Sequence, residues 1–560
     1  MIISLFLLYI KKMRQAILEI IKNIDRIKTS EDLSVFKREL SKKYSFSILL
    51  NSDILREYFL LIKEGKINKN WLEKYGDFFL SLLKKRAIRT LSGIAPVAVL
   101  TKPYPCPGKC AYCPQKPDVP VSYLPNEPAV MRAIRLKFNP YLQTVYRLKA
   151  LENNGHEPNK IELIVIGGTW SYLPTKYKYW YILNCFKAAN DYQKIKKDIK
   201  IEKSEKPVNP KRVIKNSYNQ SLGLDEMKKL LKQEQKKNEK SLYGIIGLTL
   251  ETRPDYLTEK ELLEMRELGC TRVEIGVQAI DDEILKLNRR GHNVEAINQA
   301  TKKLKQFGFK VTYHFMPALP GSSPEKDIEM FKDLYSDQRF QPDQIKFYPT
   351  TVVKDSLLYT WWKKGKYKPY TNKELEHVII ECKKMVPTYT RIIRLIRDIP
   401  GESIEAGNKI TNLRQIIKDK GISCNCIRCR EAKNKIISEK NIKLNILQYP
   451  ASEGLEYFIS FDSLDNKTLY GFCRLRIDFS SKVAPAIIRE LHVYGQLVPV
   501  GGKTKIQHRG LGKKLMAEAE KIAQKNKAEK IAVISGVGVR GYYKKLGYRL
   551  KNNYMMKIIK

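Results

Sequence analysis

Cys106-Pro107-Gly108-Lys109-Cys110-Ala111-Tyr112-Cys113 spaces three cysteines as C-x3-C-x2-C, in a loop punctuated by Pro103, Pro105, Pro107 and Pro114. Thiolates are the usual ligands of a cubane iron–sulfur cluster, and four of them close it. Three so near in sequence can hold three irons and leave the fourth iron open to a reactant. A structural zinc knuckle is the other use of such thiols, but a tetrahedral site needs a fourth ligand close by. The next histidine is His156. Cys106, Cys110 and Cys113 are therefore read as the ligands of a 4Fe-4S cluster.

Outward from this loop, residues 91 to 400 alternate short apolar runs with helical stretches. The runs Ile161–Ile166, Gly244–Leu250, Arg272–Val277, Phe309–Phe315, Gln344–Phe347 and Ile392–Ile396 read as strands, and Glu259–Leu268 and Asn293–Phe307 as helices. Repeated strand–crossover–strand units give a parallel sheet. The predicted class is α/β, a partial (β/α) barrel whose reactive end is the carboxyl end of its strands. Polar residues stand there: Gly167-Gly168-Thr169 after the first run, Glu251-Thr-Arg253 after the second and Gln278 after the third. Between Ala189 and Tyr243 a lysine-rich interval with Pro207 and Pro210 reads as a mobile insertion.

Upstream, residues 13 to about 90 read as basic helices. Ile17, Ile20, Ile24 and Ile27 recur at helix spacing, and Thr29-Ser-Glu-Asp32 predicts a capping box ahead of Leu33, Phe36 and Leu40. Lys84-Lys85-Arg86 and Arg89 end the segment. The first ten residues are apolar but too short to span a bilayer, and no basic stretch precedes them as in a signal peptide. A soluble, cytoplasmic protein is expected. The 560-residue chain is too long for one core. Lysine and arginine outnumber acids 103 to 59, a net charge of +44. Such an excess implies a polyanionic partner, nucleic acid first, unless the genome favours lysine throughout. Trp361-Trp362-Lys363-Lys364 mixes aromatics with charge, suited to base stacking or to a core beside a surface lysine pair.

Six of the ten cysteines fall in two tight groups, which is metal usage in a reducing compartment and not a disulfide framework. The second group, Cys424-Asn-Cys426-Ile-Arg-Cys429, is expected to hold zinc, with Cys382 or His377 as candidate fourth ligand.

The last 120 or so residues read as a separate domain. Strand patterns at Tyr457–Phe461 and Tyr470–Ile477 lead to Glu490-Leu491-His492-Val493-Tyr494-Gly495, then to Gln507-His-Arg-Gly510-Leu511-Gly512-Lys513 at the head of a helix. The second run resembles the Q-x-x-G-x-G loop of GCN5-related acetyltransferases. Its glycines let backbone amides approach a pyrophosphate, and the helix adds its positive end. The cluster loop resembles that of the radical S-adenosylmethionine (SAM) enzymes. That resemblance implies SAM at the open iron, with Gly167, Gly168, Glu251, Arg253 and Gln278 as its contacts.

The two loops occur together with Met131-Arg-Ala-Ile-Arg135, Glu251-Thr-Arg-Pro-Asp255, Ile531-Ala-Val-Ile-Ser-Gly536 and Tyr542-Tyr543. In that order they resemble the catalytic subunits of Elongator, which form carboxymethyluridine at the tRNA wobble position. The resemblance runs from about residue 90 to the C-terminus. It implies three units: a basic tRNA-binding module over 1–90, a radical SAM domain over 91–440 with its insertion at 190–243, and an acetyl-CoA domain over 441–560. It also implies that an electron donor reduces the cluster, that a SAM-derived radical takes hydrogen from the methyl of acetyl-CoA, and that the acetyl carbon adds to carbon five of uracil before thioester hydrolysis. Acetyl-CoA contacts carry over to Lys160, Glu490, Leu491, His492, Val493, Leu511, Gly512, Lys513 and Tyr543, and catalytic roles to Lys160, Tyr542 and Tyr543. The compact cysteine spacing implies an archaeal or bacterial type that works without partner subunits; the lysine-rich interval and the apolar start depart from the pattern. A protein lysine acetyltransferase and a non-catalytic tRNA scaffold are the competing classes, and the intact cysteines and glycine loop argue against both.

Overall fold

The computed structural model describes residues 2–45, 48–83, 93–197, 199, 211–432, 441–494 and 510–559. Its strands, in chain order, are β1 (Ala95–Leu100), β2 (Lys160–Ile166), β3 (Gly244–Thr252), β4 (Arg272–Gln278), β5 (Lys310–Phe315), β6 (Gln344–Phe347), β7 (Val352–Val353), β8 (Arg391–Arg394), β9 (Ile404–Ala406), β10 (Ile442–Ala451), β11 (Gly454–Ser463), β12 (Leu469–Ile477), β13 (Ala486–Val493), β14 (Lys530–Val533), β15 (Arg549–Lys551) and β16 (Tyr554–Ile558).

The first sheet runs β1-β2-β3-β4-β5-β6-β8, parallel throughout, with β1 and β8 left as edges. It is a partial barrel, as the alternating runs predict. Helices cover its outer face and share its core with Val97, Leu163, Leu250 and Phe347. β1 escapes the sequence pattern because Pro96 interrupts an apolar run; a proline in a sheet belongs on an edge, and that is where β1 lies.

The lysine-rich interval is not a mobile loop throughout. Leu224–Asn238 is a helix that buries Met227 and Leu231 in the barrel core, and its Asn238 amide donates to Asn190 Oδ1 at 2.8 Å. Residues 198 and 200–210 lie outside the described residues.

The N-terminal helices, Ile2–Lys22, Ser30–Tyr44, Asn51–Lys63 and Lys69–Leu83, enclose a core of their own with Ile17, Ile20, Leu33, Leu40 and Phe79. The capping box forms: Asp32 N donates to Thr29 Oγ1 at 3.1 Å and Thr29 N to Asp32 Oδ2 at 2.9 Å. Lys84-Lys85-Arg86 and Arg89 fall outside the described residues. No described helix is long and apolar enough to cross a membrane.

The second sheet runs β10-β11-β12-β13-β14-β16-β15, antiparallel except at β13–β14. β13 and β14 pair in parallel only from Ala486 to Ile488. Beyond that, Glu490–Val493 keep their partners in β12 alone, so a wedge opens between the two strands. The helix Leu511–Lys525 packs against β12 and β13.

The two sheets dock through buried backbone and charge. The turn Val537–Val539 lies on β3 so tightly that a Cβ on Gly536 would occupy the Ile246 carbonyl, and one on Gly538 would come within 2.8 Å of Gly244. Asp343 on the barrel side meets Arg489 at 2.5 Å, while Lys310 and Arg474 flank Glu490 at 3.1 and 3.0 Å.

Candidate active site: one cavity between a thiol loop and an open strand wedge

A cavity of about 2090 Å³ runs through the molecule from the cysteine loop to the β13–β14 wedge. Cys106, Cys110 and Cys113 line it with Gly168, Glu251, Arg253 and Gln278. At the far end it is lined by Glu490–Val493, Leu511–Lys513 and Tyr542–Tyr543, with Lys160 between. Residues separated by hundreds of positions thus face one space. Eighteen lysines and arginines line it against eight carboxylates, so its field attracts anions.

At the thiol end, β1 leads directly into the loop that carries the three cysteines. A second loop holds it in place: Ala111 N donates to Asn288 O at 3.0 Å, and Arg290 Nη1 donates to Cys110 Sγ at 3.3 Å. Arg290 is itself fixed by Gly276 O at 2.6 Å and by Arg253, whose Nη2 donates to Arg290 O at 2.8 Å. Cys113 and, against burial, Arg290 pull the Cys110 thiol well below its ordinary range, while Cys110 and burial push Cys113 up.

The strand ends show strain and unspent hydrogen-bonding capacity. Gly167 has φ +131 and a Cβ there would strike Thr101, so only glycine fits this turn. Gln278 is not glycine yet has φ +71, and its Oε1 is buried with no partner; Arg253 Nη1 is likewise buried and unpartnered, beside Gly108. Unpartnered donors and acceptors of opposite kind, aimed into a cavity beside three thiols, suit a zwitterionic ligand such as SAM at a cluster. Deeper in the lumen, His314 Nε2 lies 2.8 Å from Glu274 Oε2 and its Nδ1 is 3.6 Å from Glu251, and Lys346 also pairs with Glu274.

At the wedge end, the helix Leu511–Lys525 starts with Gly510 at φ +78 as its N-cap, with no side-chain cap and no acid in its first turn. Among the described residues nothing caps its leading amides, and with the positive dipole end they suit a phosphate. Tyr542 Oη is buried without a partner, and a Cβ on Gly512 would lie 2.9 Å from it, so the hydroxyl stands over that helix start. Tyr543 is buried behind it, its hydroxyl pushed up by burial. These residues fit a thioester carrier with a pyrophosphate. Glu490 does not face the wedge as a free base: against burial, Lys310, Arg474 and His492 hold its carboxyl down to about 2. Gln507, His508, Arg509 and Gly495 lie outside the described residues. Lys160 starts β2 opposite Gly244, the residue that Gly538 presses on, so it sits where the two sheets meet. Burial lowers its amine.

Cys424, Cys426 and Cys429 bring their sulfurs within 4.8 Å of one another, outside the main cavity. Among the described residues no fourth ligand joins them. Cys382 is buried in the barrel core, and Lys383 Nζ lies 3.8 Å from Cys429 Sγ. His377 is not in the group either. Trp361 and Trp362 pack half-buried against Val352, Leu358 and Tyr367, with Lys363 5.0 Å over Trp362.

Sequence reading alone misses Arg290, Asp343, Arg474 and Arg489. Each looks like an ordinary charged residue in a loop or strand, and its partner is remote in sequence.

The Radical SAM superfamily profile matches residues 104–334, the Radical_SAM C-terminal domain 342–421 and the acetyltransferase (GNAT) family 431–548. A tRNA uridine(34) acetyltransferase of Dehalococcoides mccartyi is 42% identical over 490 residues, 84% of this chain and 99% of that one. Human Elongator complex protein 3 is 38% identical over 87% of this chain and 88% of its own length. The solved archaeal Methanocaldococcus infernus Elp3, with residues 1–46 deleted, superposes with a TM-score of 0.67 at 38% identity, over 83% of this chain and 99% of that one. A cavity walled by a radical SAM half and a GNAT half, with these relatives matched over most of their length, places the chain in the family of the tRNA uridine(34) acetyltransferases and Elongator complex protein 3.

Proposed function

We propose that this protein is a tRNA uridine(34) acetyltransferase, which draws on acetyl-CoA and leaves a carboxymethyl group on carbon five of the wobble uracil. The single observation that carries this reading is the shared cavity. A GNAT domain acetylating an amine needs no thiol loop, and a radical enzyme acting alone needs no pyrophosphate-binding helix; here both open on one basic space.

Cys106, Cys110 and Cys113 would hold a 4Fe-4S cluster, with Gly167, Gly168, Glu251, Arg253 and Gln278 around SAM. When bound and reduced by an electron donor, that pair supplies a carbon-centred radical able to take hydrogen from an unactivated methyl group. Arg290 donates to Cys110 and to Gly276 O, and so ties the cluster loop to the end of β4. The amides of Leu511–Lys513 would bind the pyrophosphate of acetyl-CoA, the free edge of Glu490–Val493 its pantetheine arm, and Tyr542 would donate to the thioester oxygen. Lys160 would bridge the two ends, and the buried ion pairs around Asp343 and Glu490 hold the halves in register. Zinc would occupy Cys424, Cys426 and Cys429 as a structural ion. The N-terminal helices would add RNA contact, and nothing in this reading requires other Elongator subunits.

The test is anaerobic incubation of the reconstituted protein with bulk tRNA, SAM, acetyl-CoA and dithionite, followed by nucleoside mass spectrometry. Carboxymethyluridine dependent on both cofactors is expected. Its absence, with acetyl groups appearing on lysine peptides instead, would overturn the reading.

A further inference from the structure

Beside the end of β8 five arginines line the cavity: Arg391, Arg394, Arg397, Arg414 and Arg428. Three are answered by carboxylates. Arg391 pairs with Glu431 at 2.9 Å, Arg397 with Glu127 at 3.0 Å, and Arg394 with exposed Asp398 at 2.7 Å. The other two are not. Arg414, on the short helix Leu413–Asp419, donates Nη2 to Ile392 O at 3.0 Å, and Arg428, in the turn Ile427–Arg430, donates Nη1 to Ile393 O at 2.8 Å.

Two successive carbonyls of β8 hold the two guanidiniums, burial and the charge of Arg414 lower the pKa of Arg428, and neither forms an ion pair among the described residues. A carbonyl satisfies one N–H but does not neutralise the positive charge, and at Arg428 Glu431 and Cys426 offset burial and the neighbouring arginines only in part. Both side chains are half-buried, while the lining residues Thr411, Asn412 and Gln415 are exposed, so the cavity meets solvent here. The same rim runs toward the cluster loop, since Arg397 also donates to Ser122 Oγ at 3.0 Å, nine residues beyond Cys113. Like charges held together favour an anion between them, and the guanidinium fork matches phosphate oxygens.

We propose that Arg414 and Arg428, with Arg394 at their edge, form a phosphate site at this mouth, which takes a backbone phosphate of the RNA beside the nucleotide admitted to the thiol end. The site rests on the tRNA reading given above and adds to it where the strand enters. Phosphate contact fixes register without reading sequence, so the site would position any substrate tRNA equally.

The test is equilibrium binding of a labelled anticodon stem–loop to the full chain across a salt series, for wild type, Arg414→Gln, Arg428→Gln, Arg414→Lys and, as a control on the same helix, exposed Lys418→Gln. Each glutamine variant should lower the slope of log affinity against log salt by about one. Arg414→Lys should keep the slope but bind more weakly, because the fork is lost, and Lys418→Gln should match wild type. Wild-type binding with unchanged slopes in both glutamine variants would overturn the phosphate site and leave the tRNA reading standing. Absence of salt-dependent binding in the wild type would overturn both. Affinity lost only in step with metal content at Cys424–Cys429 would show that the arginines serve the thiol group, and would overturn the proposal too.

Discussion

Arg290 donates to a sulfur that is to carry iron, and this gives it a measurable effect distinct from folding. A positive charge and a hydrogen bond at a cluster thiolate favour the reduced, more negative state, so they raise the reduction potential. Arg290→Met should therefore leave iron content near that of wild type and move the midpoint potential to a more negative value, followed by an EPR-monitored redox titration. An unchanged potential in a fully loaded variant would show that Arg290 only packs the loop. The sequence displays this residue in Asn288-Arg-Arg-Gly-His292, where a solvated loop is the natural reading. Nothing local marks one arginine of the pair as buried against Cys110. The three cysteines, by contrast, declare themselves by spacing, because a metal loop is a local structure.

Gly536 belongs to the scale of elements, since its lack of a side chain lets the turn Val537–Val539 lie on β3. Gly536→Ala should cost at least about 1–3 kcal/mol, the range for overpacking a filled interface. Gly541→Ala, a few residues on with open space at its Cβ, should be close to neutral. Thermal melts of the two variants compare them directly, and equal melting temperatures would refute the close-packing account. Most strands are legible because buried parallel strands read as apolar runs, and their predicted limits agree within a few residues with the observed β2 to β6 and β8, while the two-residue β7 is too short to read. β1 hides behind Pro96, and the helix Leu224–Asn238 behind its lysines, although Leu224, Met227 and Leu231 keep helix spacing. A lysine-rich solvent face and a mobile insertion share the same composition; packing against Thr175–Ile195 is what separates them.

Across the whole molecule, the halves are joined by buried charges set beside an apolar seam in which Ile487, Ile534 and Val537 share the barrel core. Arg474 and Arg476 alternate along β12 as solvent-facing residues would, yet Arg474 and, on β13, Arg489 are buried against Asp343 of the barrel, and Glu490 against Lys310, which no local pattern announces. Such pairs are costly to break singly, because one partner stays buried without its counter-charge. Against burial, Lys310 and Arg474 hold Glu490 at about 2 from an ordinary 4.5, and Arg489 and Arg474 hold Asp343 below its usual range as well. Both carboxyls bind protons more readily when unfolded, so the stability they contribute is complete above pH 4.5 and lost as pH falls toward 2. Docking of the halves should loosen over that window, seen as an acid shift in the scattering profile that precedes loss of helix signal. A profile constant down to full unfolding would contradict this. The central claim is that both halves serve one reaction, and CoA release measured with tRNA, with a lysine peptide or with neither tests it most directly. The account predicts release that needs tRNA and vanishes in Cys110→Ser; release stimulated by peptide alone, undiminished in Cys110→Ser, would contradict it.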